Sequence, residues 1–221
     1  MQKYPKFEYT LNMHSTPLHL STEELQIFTD KIFFQRKSNI TKIVVLTLEK
    51  LLEQLKTSDL LLDLFSQFHL DAHNGKISKG ENYLGCPWQI LDYPRLFKKE
   101  NVFAFRTLCW WGNYYSCTIQ LSGSYLQQCR KRIEKNLSLK SDPNLFICVN
   151  DDPWQHHFEK NNYILVSEVF QDEVLFNSLM KKYFIKLSCK FPLTKIDQLE
   201  KNALVTLQLF QQIITHTLPD Q

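Results

Sequence analysis

All five glycines of the chain fall between positions 75 and 123. Glycine serves turns, bulges and left-handed backbone, and inside a helix it costs about 1 kcal/mol relative to alanine. A chain of 221 residues that confines glycine to its middle has flanks free to run as helix and a centre that must turn repeatedly. The expected fold is therefore α+β, with an antiparallel sheet of about five strands from the middle of the chain packed against helices from both ends. The expected organisation is one domain over 1–221: a helical part over 1–70, a mainly β part over 76–170, and helices over 171–221.

The flanks carry helical periodicity. Residues 1–20 contain Pro5 and Pro17 and read as an extended arm. Ser21-Thr22-Glu23-Glu24 is a capping box, in which the Ser21 hydroxyl accepts from the Glu24 amide and the Glu24 carboxylate reaches back. The helix it opens carries Leu25, Phe28, Ile32 and Phe33 on one stripe and is expected to end near Lys37, with Ser38-Asn39 restarting a second helix. A third helix runs from Ser58 to about Phe68. Beyond the centre, 124–137 is helical, with Leu126, Cys129, Ile133 and Leu137 inward. Asp152-Pro153 opens a short helix over 154–159. Another is expected from Asp172 to about Leu187, before Phe191-Pro192. Thr194 is read as the cap of the last, whose stripe is Leu199, Ala203, Phe210, Ile213 and Ile214.

Five segments read as strands: 88–92, 101–111, 114–121, 144–150 and 163–170. Gly112-Asn113 suits a two-residue type II′ hairpin turn. That turn sets Trp111 opposite Tyr114. One face then carries Ala104, Arg106, Leu108 and Trp110 with Tyr115, Cys117, Ile119 and Leu121, and as the more apolar face it is expected to meet the core.

Several function classes are disfavoured. The 26 basic and 23 acidic residues leave a net charge of +3, too even for a nucleic-acid or acidic-membrane partner. The cluster Arg130-Lys131-Arg132 with Lys135 reads as a solvated helix face. Apolar runs are only a few residues long, against about 20 for a membrane span, and the first residues are too polar for the apolar centre of a secretory signal. The expected location is cytoplasmic. The six cysteines contain no Cys-x-x-Cys pair, so buried free thiols are expected rather than a zinc ribbon or redox site. The nucleotide-loop, serine-elbow and His-Glu-x-x-His motifs are missing, and no cofactor is expected.

Two stretches invite a metal reading. Residues 70–81 align with a calcium loop at Asn74, Gly75, Ser78 and Glu81, but Leu70 and Ala72 stand where carboxylates belong, so the stretch is read as a glycine-rich turn. His69, Asp71 and His73 alternate and could join His156-His157, yet their spacing matches no ligand set. No metal is expected.

Arg106 is the most informative charge. On an apolar face its guanidinium must be paired, since an isolated buried ion costs several kcal/mol. It either pairs with an internal carboxylate, Asp92 or Glu168, or awaits an anionic ligand in a pocket lined by Trp110, Tyr115 and Trp88. The candidate ligand-binding residues are Arg106, Trp110, Tyr115, Trp88, Asp92 and Arg95. The polar-aromatic stretches 80–87 and 91–97 lie between helices and sheet, where binding residues gather. Together with Trp110-Trp111-Gly112-Asn113 they resemble an uncharacterised family of bacterial proteins over residues 76–123, a resemblance that implies no activity. Aromatic residues make up 13% of the chain, and all four tryptophans lie in the sheet half, which suits an interface or a ligand wall. The expected function is a non-catalytic protein binding a small molecule or a partner chain, including a second copy of itself as a homodimer. The alternative is an enzyme using Arg106, Asp92 and a histidine.

Overall fold

The computed structural model describes residues 19–71, 74–137 and 142–215. The chain divides into two compact units, one ending at Leu46 and the other beginning at Thr47.

In the first unit, α1 (Thr22–Thr29) opens on the expected capping box: Glu24 N donates to Ser21 Oγ at 3.1 Å, and Ser21 N to Glu24 Oε2 at 2.7 Å. The break falls earlier than expected. Asp30 adopts extended backbone, and its Oδ1 accepts from the amides of Ile32 and Phe33, starting α2 (Lys31–Lys56). That helix runs through Ser38-Asn39 without interruption. A potential cap breaks a helix only where its side chain takes the next free amides, and here Asp30 does so.

The second unit begins with the remainder of α2, where Leu48, Leu51 and Leu55 are buried. Next comes α3 (Asp59–Phe68), which ends on His69 in left-handed backbone. A meander follows: β1 (Lys76–Tyr83), β2 (Cys86–Phe97), β3 (Val102–Trp110) and β4 (Tyr114–Ser122). Then come α4 (Gly123–Leu137), β5 (Leu145–Cys148), β6 (Tyr163–Leu165), α5 (Val166–Val169), α6 (Glu173–Met180), β7 (Phe184–Pro192), a 3-10 turn and α7 (Leu199–Thr215). The fold is α+β. Among the described residues seven strands form one antiparallel sheet in the order β1-β2-β3-β4-β7-β5-β6. No described helix is long and apolar enough to cross a membrane.

The two strands beyond the expected five are β1 and β7. Residues 76–81, read as part of a turn, form the edge strand β1. Gly80 is needed there because a Cβ would lie 2.6 Å from the Trp88 ring. His73, from the alternating trio, lies outside the described residues. The helix expected up to Leu187 stops at Met180, and β7 follows between β4 and β5. Its alternation is that of a strand: Ile185, Leu187 and Cys189 face one way, Phe184, Lys186 and Ser188 the other. Residues 154–159 form no helix. Asp152 Oδ1 accepts from Trp154 N at 2.9 Å, a local turn that the chain does not continue. The last helix is entered through the 3-10 turn Leu193–Gln198 rather than capped directly at Thr194.

The hairpin register is shifted by one residue from the expected one. Trp110, not Trp111, pairs with Tyr114, and the loop has three residues, with Gly112 at φ +71° and Asn113 N donating to Trp110 O. Arg106 therefore stands beside Thr118 rather than Ile119. Tyr115, Cys117, Ile119 and Leu121 share a face with Phe103, Phe105, Thr107 and Cys109, and this is the face the helices cover. There Phe103 meets Phe68 of α3 and Tyr125 of α4, and Phe105 meets Phe210 of α7.

Candidate functional site

The second face of the sheet is polar at its centre although buried. Pairing aligns Asp92, Arg106, Thr118 and Ser188 across β2, β3, β4 and β7. The next row aligns Ala104, Gln120 and Lys186. This face is covered by the irregular segment 149–162, which is anchored by polar contacts and by the rings of Trp154 and Phe158.

Arg106 is 8% exposed and bound on both sides. Its Nε and Nη2 donate to the two Asp92 carboxylate oxygens at 2.6 and 2.9 Å, a planar two-pronged pair. Its Nη1 lies 2.9 Å from His156 Nε2. A guanidinium cannot accept, so Nε2 must, which fixes His156 as the neutral ring protonated at Nδ1. Burial, reinforced by the Lys186 and Arg106 charges, holds the His156 pKa well below its ordinary value. The Tyr83 hydroxyl accepts from the amides of His156 and His157 at 2.8 and 3.2 Å, and the Tyr114 hydroxyl donates to His156 O at 3.1 Å.

Lys186, 1% exposed, holds the same segment from β7, its Nζ donating to Pro153 O at 2.9 Å and Gln155 O at 2.5 Å. Burial pushes this amine down to about 7. A neutral amine still has two N–H groups for the two carbonyls. Lys182 Nζ likewise donates to Val149 O and Asn150 O. These groups work as fasteners. Acid–base chemistry needs a side chain with an open proton site, and His156 Nε2 is already occupied. Nucleophilic sulfur needs a thiolate, whereas burial pushes the thiols of Cys109, Cys117 and Cys129 up to about 12.

The expected ligand-binding residues are thus only partly brought together. Asp92 and Arg106 form an ion pair. Trp88 and Trp110 pack with Ile90 and Leu108 further along the same face, and the Trp110 indole donates to Tyr83 O at 3.0 Å. Tyr115 is not beside Trp110: it lies on the helix-covered face, stacked on Phe191 at 5.1 Å, with its hydroxyl donating to Lys195 O. Arg95 is exposed beyond an irregularity in β2, 5.3 Å from the Phe97 ring.

A cleft of about 510 Å³ opens elsewhere on this face, and none of those six residues lines it. Its floor is Gln120 and Ser122 of β4. Gly123, Gln127 and Arg130 form one side along α4, and Trp154, Tyr183 and Phe184 form an aromatic side, with Lys99 and Glu100 at its edge. Ser122 is committed: its Oγ donates to Glu100 O and accepts from Val102 N. The Gln120 amide, in a residue 6% exposed, has no hydrogen-bond partner among the described residues. Arg130 is fixed by donating to the carbonyls of Met180 and Lys182. Gly123 allows the close approach of the β2–β3 turn, since a Cβ there would lie 2.4 Å from Glu100 O.

The signal that could have found this site is the run Ser116, Thr118, Gln120 and Ser122: alternate polar residues on a strand whose neighbours are all apolar or aromatic. Read with the two-residue turn, they fell on the face turned away from the core. Compared with known proteins, the chain matches no protein-family model, no curated protein and no solved structure.

Proposed function

We propose that this chain is a non-catalytic binding protein that takes a small molecule in the cleft between β4, α4 and Trp154. The observation that supports this reading is the Gln120 amide, which makes no internal hydrogen bond and stands at the floor of that cleft. Among the described residues the buried polar side-chain atom left unmet is His157 Nδ1, so the Gln120 amide is open to the cleft, where a ligand can pair with it. The volume, about 510 Å³, lies within the range of small-molecule sites, roughly 300–1,000 Å³. Against catalysis stands the commitment of Asp92, Arg106 and His156 to one another.

The test uses 1-anilinonaphthalene-8-sulfonate, a fluorescent aromatic anion, as a probe of the cleft. Gln127 is exposed on α4 and faces the opening, so Gln127→Trp fills the space without touching the core. Saturable probe binding by the wild type, weakened at least about tenfold by Gln127→Trp, is the expected outcome; tenfold corresponds to 1.4 kcal/mol. Equal binding by both proteins overturns the reading.

A partner chain is a second reading, favoured by a separate observation. In residues 19–46, Leu25, Ile27, Phe28, Ile32, Phe33 and Phe34 are all exposed, and α1 has no buried residue. So many exposed apolar side chains within one segment support an interaction site, and a second copy of the chain is the partner this reading names.

A further inference from the structure

We infer that the ligand of the cleft is a nucleotide-like aromatic anion: a planar ring with a paired donor and acceptor on one edge, joined to a phosphate. The inference rests on the small-molecule reading above and deepens it.

Three parts of the lining carry the argument. The floor supplies a primary amide, one acceptor oxygen and an NH2 donor, and a ligand presenting the complementary pair on one edge satisfies both ends at once. The N6/N7 edge of adenine is the standard two-pronged partner of a glutamine amide. Ser122 offers nothing further, because its hydroxyl is already used in both directions. The specificity of the floor therefore falls to Gln120.

The aromatic side suits a flat ring. Trp154 is held edge-to-face by Phe97, with centroids 5.6 Å apart, and the almost fully buried Phe184 lines the same cleft. Segment 149–162, which carries Trp154, is fastened through Lys186 and Arg106, so the wall stands in place before any ligand arrives. Preorganised aromatic surface recognises bases by stacking with little ordering cost.

The rim sets the charge. Lys99 and Arg130 face a single carboxylate, Glu100, in the lining. Arg130 is anchored by the Met180 and Lys182 carbonyls, which fixes its position whether or not an anion is bound. The first amides of α4 do not make the anion site, since Asn101 Oδ1 already accepts from Ser124 N at 2.6 Å. A phosphate on a ring seated over Gln120 is instead met by the two cations.

The experiment is displacement of the bound anilinonaphthalenesulfonate by AMP, adenosine and inorganic phosphate. AMP is expected to displace the probe, adenosine to need about tenfold more, and phosphate alone to fail. Gln120→Leu is expected to weaken AMP and adenosine alike, by about 10- to 100-fold, with the wild-type circular-dichroism spectrum kept as the control for an intact fold. Lys99→Ala, on an exposed side chain, is expected to weaken AMP but not adenosine, and to flatten its salt dependence. Probe binding that Gln127→Trp abolishes but AMP never displaces would overturn the ligand class and leave cleft binding intact. Probe binding untouched by Gln127→Trp would remove both.

Discussion

At the scale of single residues, Arg106 shows how a buried charge can be read and how it can mislead. Its burial was legible, and Asp92 was one of the partners open to it, beside Glu168 and an anionic ligand; the structure selects Asp92. The register was not legible, being off by one. Arg106 still lies inside because β3 is buried on both faces, so the slip exchanged one interior for another. What followed was the loss of Tyr115 from the proposed pocket and the appearance of Gln120, whose role depends on which side of β4 it occupies. Removing one member of a buried pair strands the other, at about 3–5 kcal/mol. Asp92→Ala is accordingly expected to lower the unfolding free energy by that amount in urea denaturation, and the double change Asp92→Leu with Arg106→Met to recover most of it. A loss below about 1 kcal/mol for Asp92→Ala would show that the pair is solvated.

At the scale of elements, β7 and segment 149–162 form one device. The sequence reading carries the helix from Asp172 on to about Leu187 and so covers the first residues of this strand. The residues in fact alternate, and Lys186 points inward to serve the segment's carbonyls. That arrangement has a pH signature. Lys186 titrates at about 7 in the folded protein and an unfolded lysine near 10.4. Between those values the unfolded chain binds a proton that the folded chain does not. The stability contributed by this group is thus fully present above the unfolded value and is lost as pH falls toward 7. Lys186→Met removes the dependence, and with it the charge that lowers the pKa of the Cys148 thiol and of the two histidines. From pH 7.5 to 9 the stability difference between the two proteins is expected to shift toward wild type, by at most about 1.4 kcal/mol per pH unit. Parallel pH profiles in chemical denaturation would show that Lys186 stays charged inside.

For the molecule as a whole, the exposed apolar residues of 19–46 bear on association. An eight-residue helix such as α1 is marginal by itself in water, and a side chain like Phe28, 68% exposed, contributes nothing to a core. If two copies cover these surfaces, sedimentation equilibrium at micromolar concentration gives twice the chain mass, and Phe28→Asp with Ile32→Asp returns the monomer. A monomer at all concentrations for the wild type rejects the self-association reading. Neither outcome touches the cleft, which lies wholly within the second unit.

The sequence alone determined the class of fold and much of its local punctuation. Confined glycine, helical stripes and the Ser21 capping box act through neighbours a few residues apart, and local chemistry needs no knowledge of the rest of the chain. The same holds for Leu126, Cys129, Ile133 and Leu137, which all turn inward as their spacing requires. Tertiary structure alone decided the insertion of β7 between β4 and β5, the side of β4 that carries Gln120, and the cleft that this side opens onto. Each of these depends on partners far along the chain, as in the pairings of Gln120 with Lys186, Thr118 with Ser188 and Ile147 with Leu187. Long-range pairing is set by how whole surfaces pack, and no spacing within one segment encodes it.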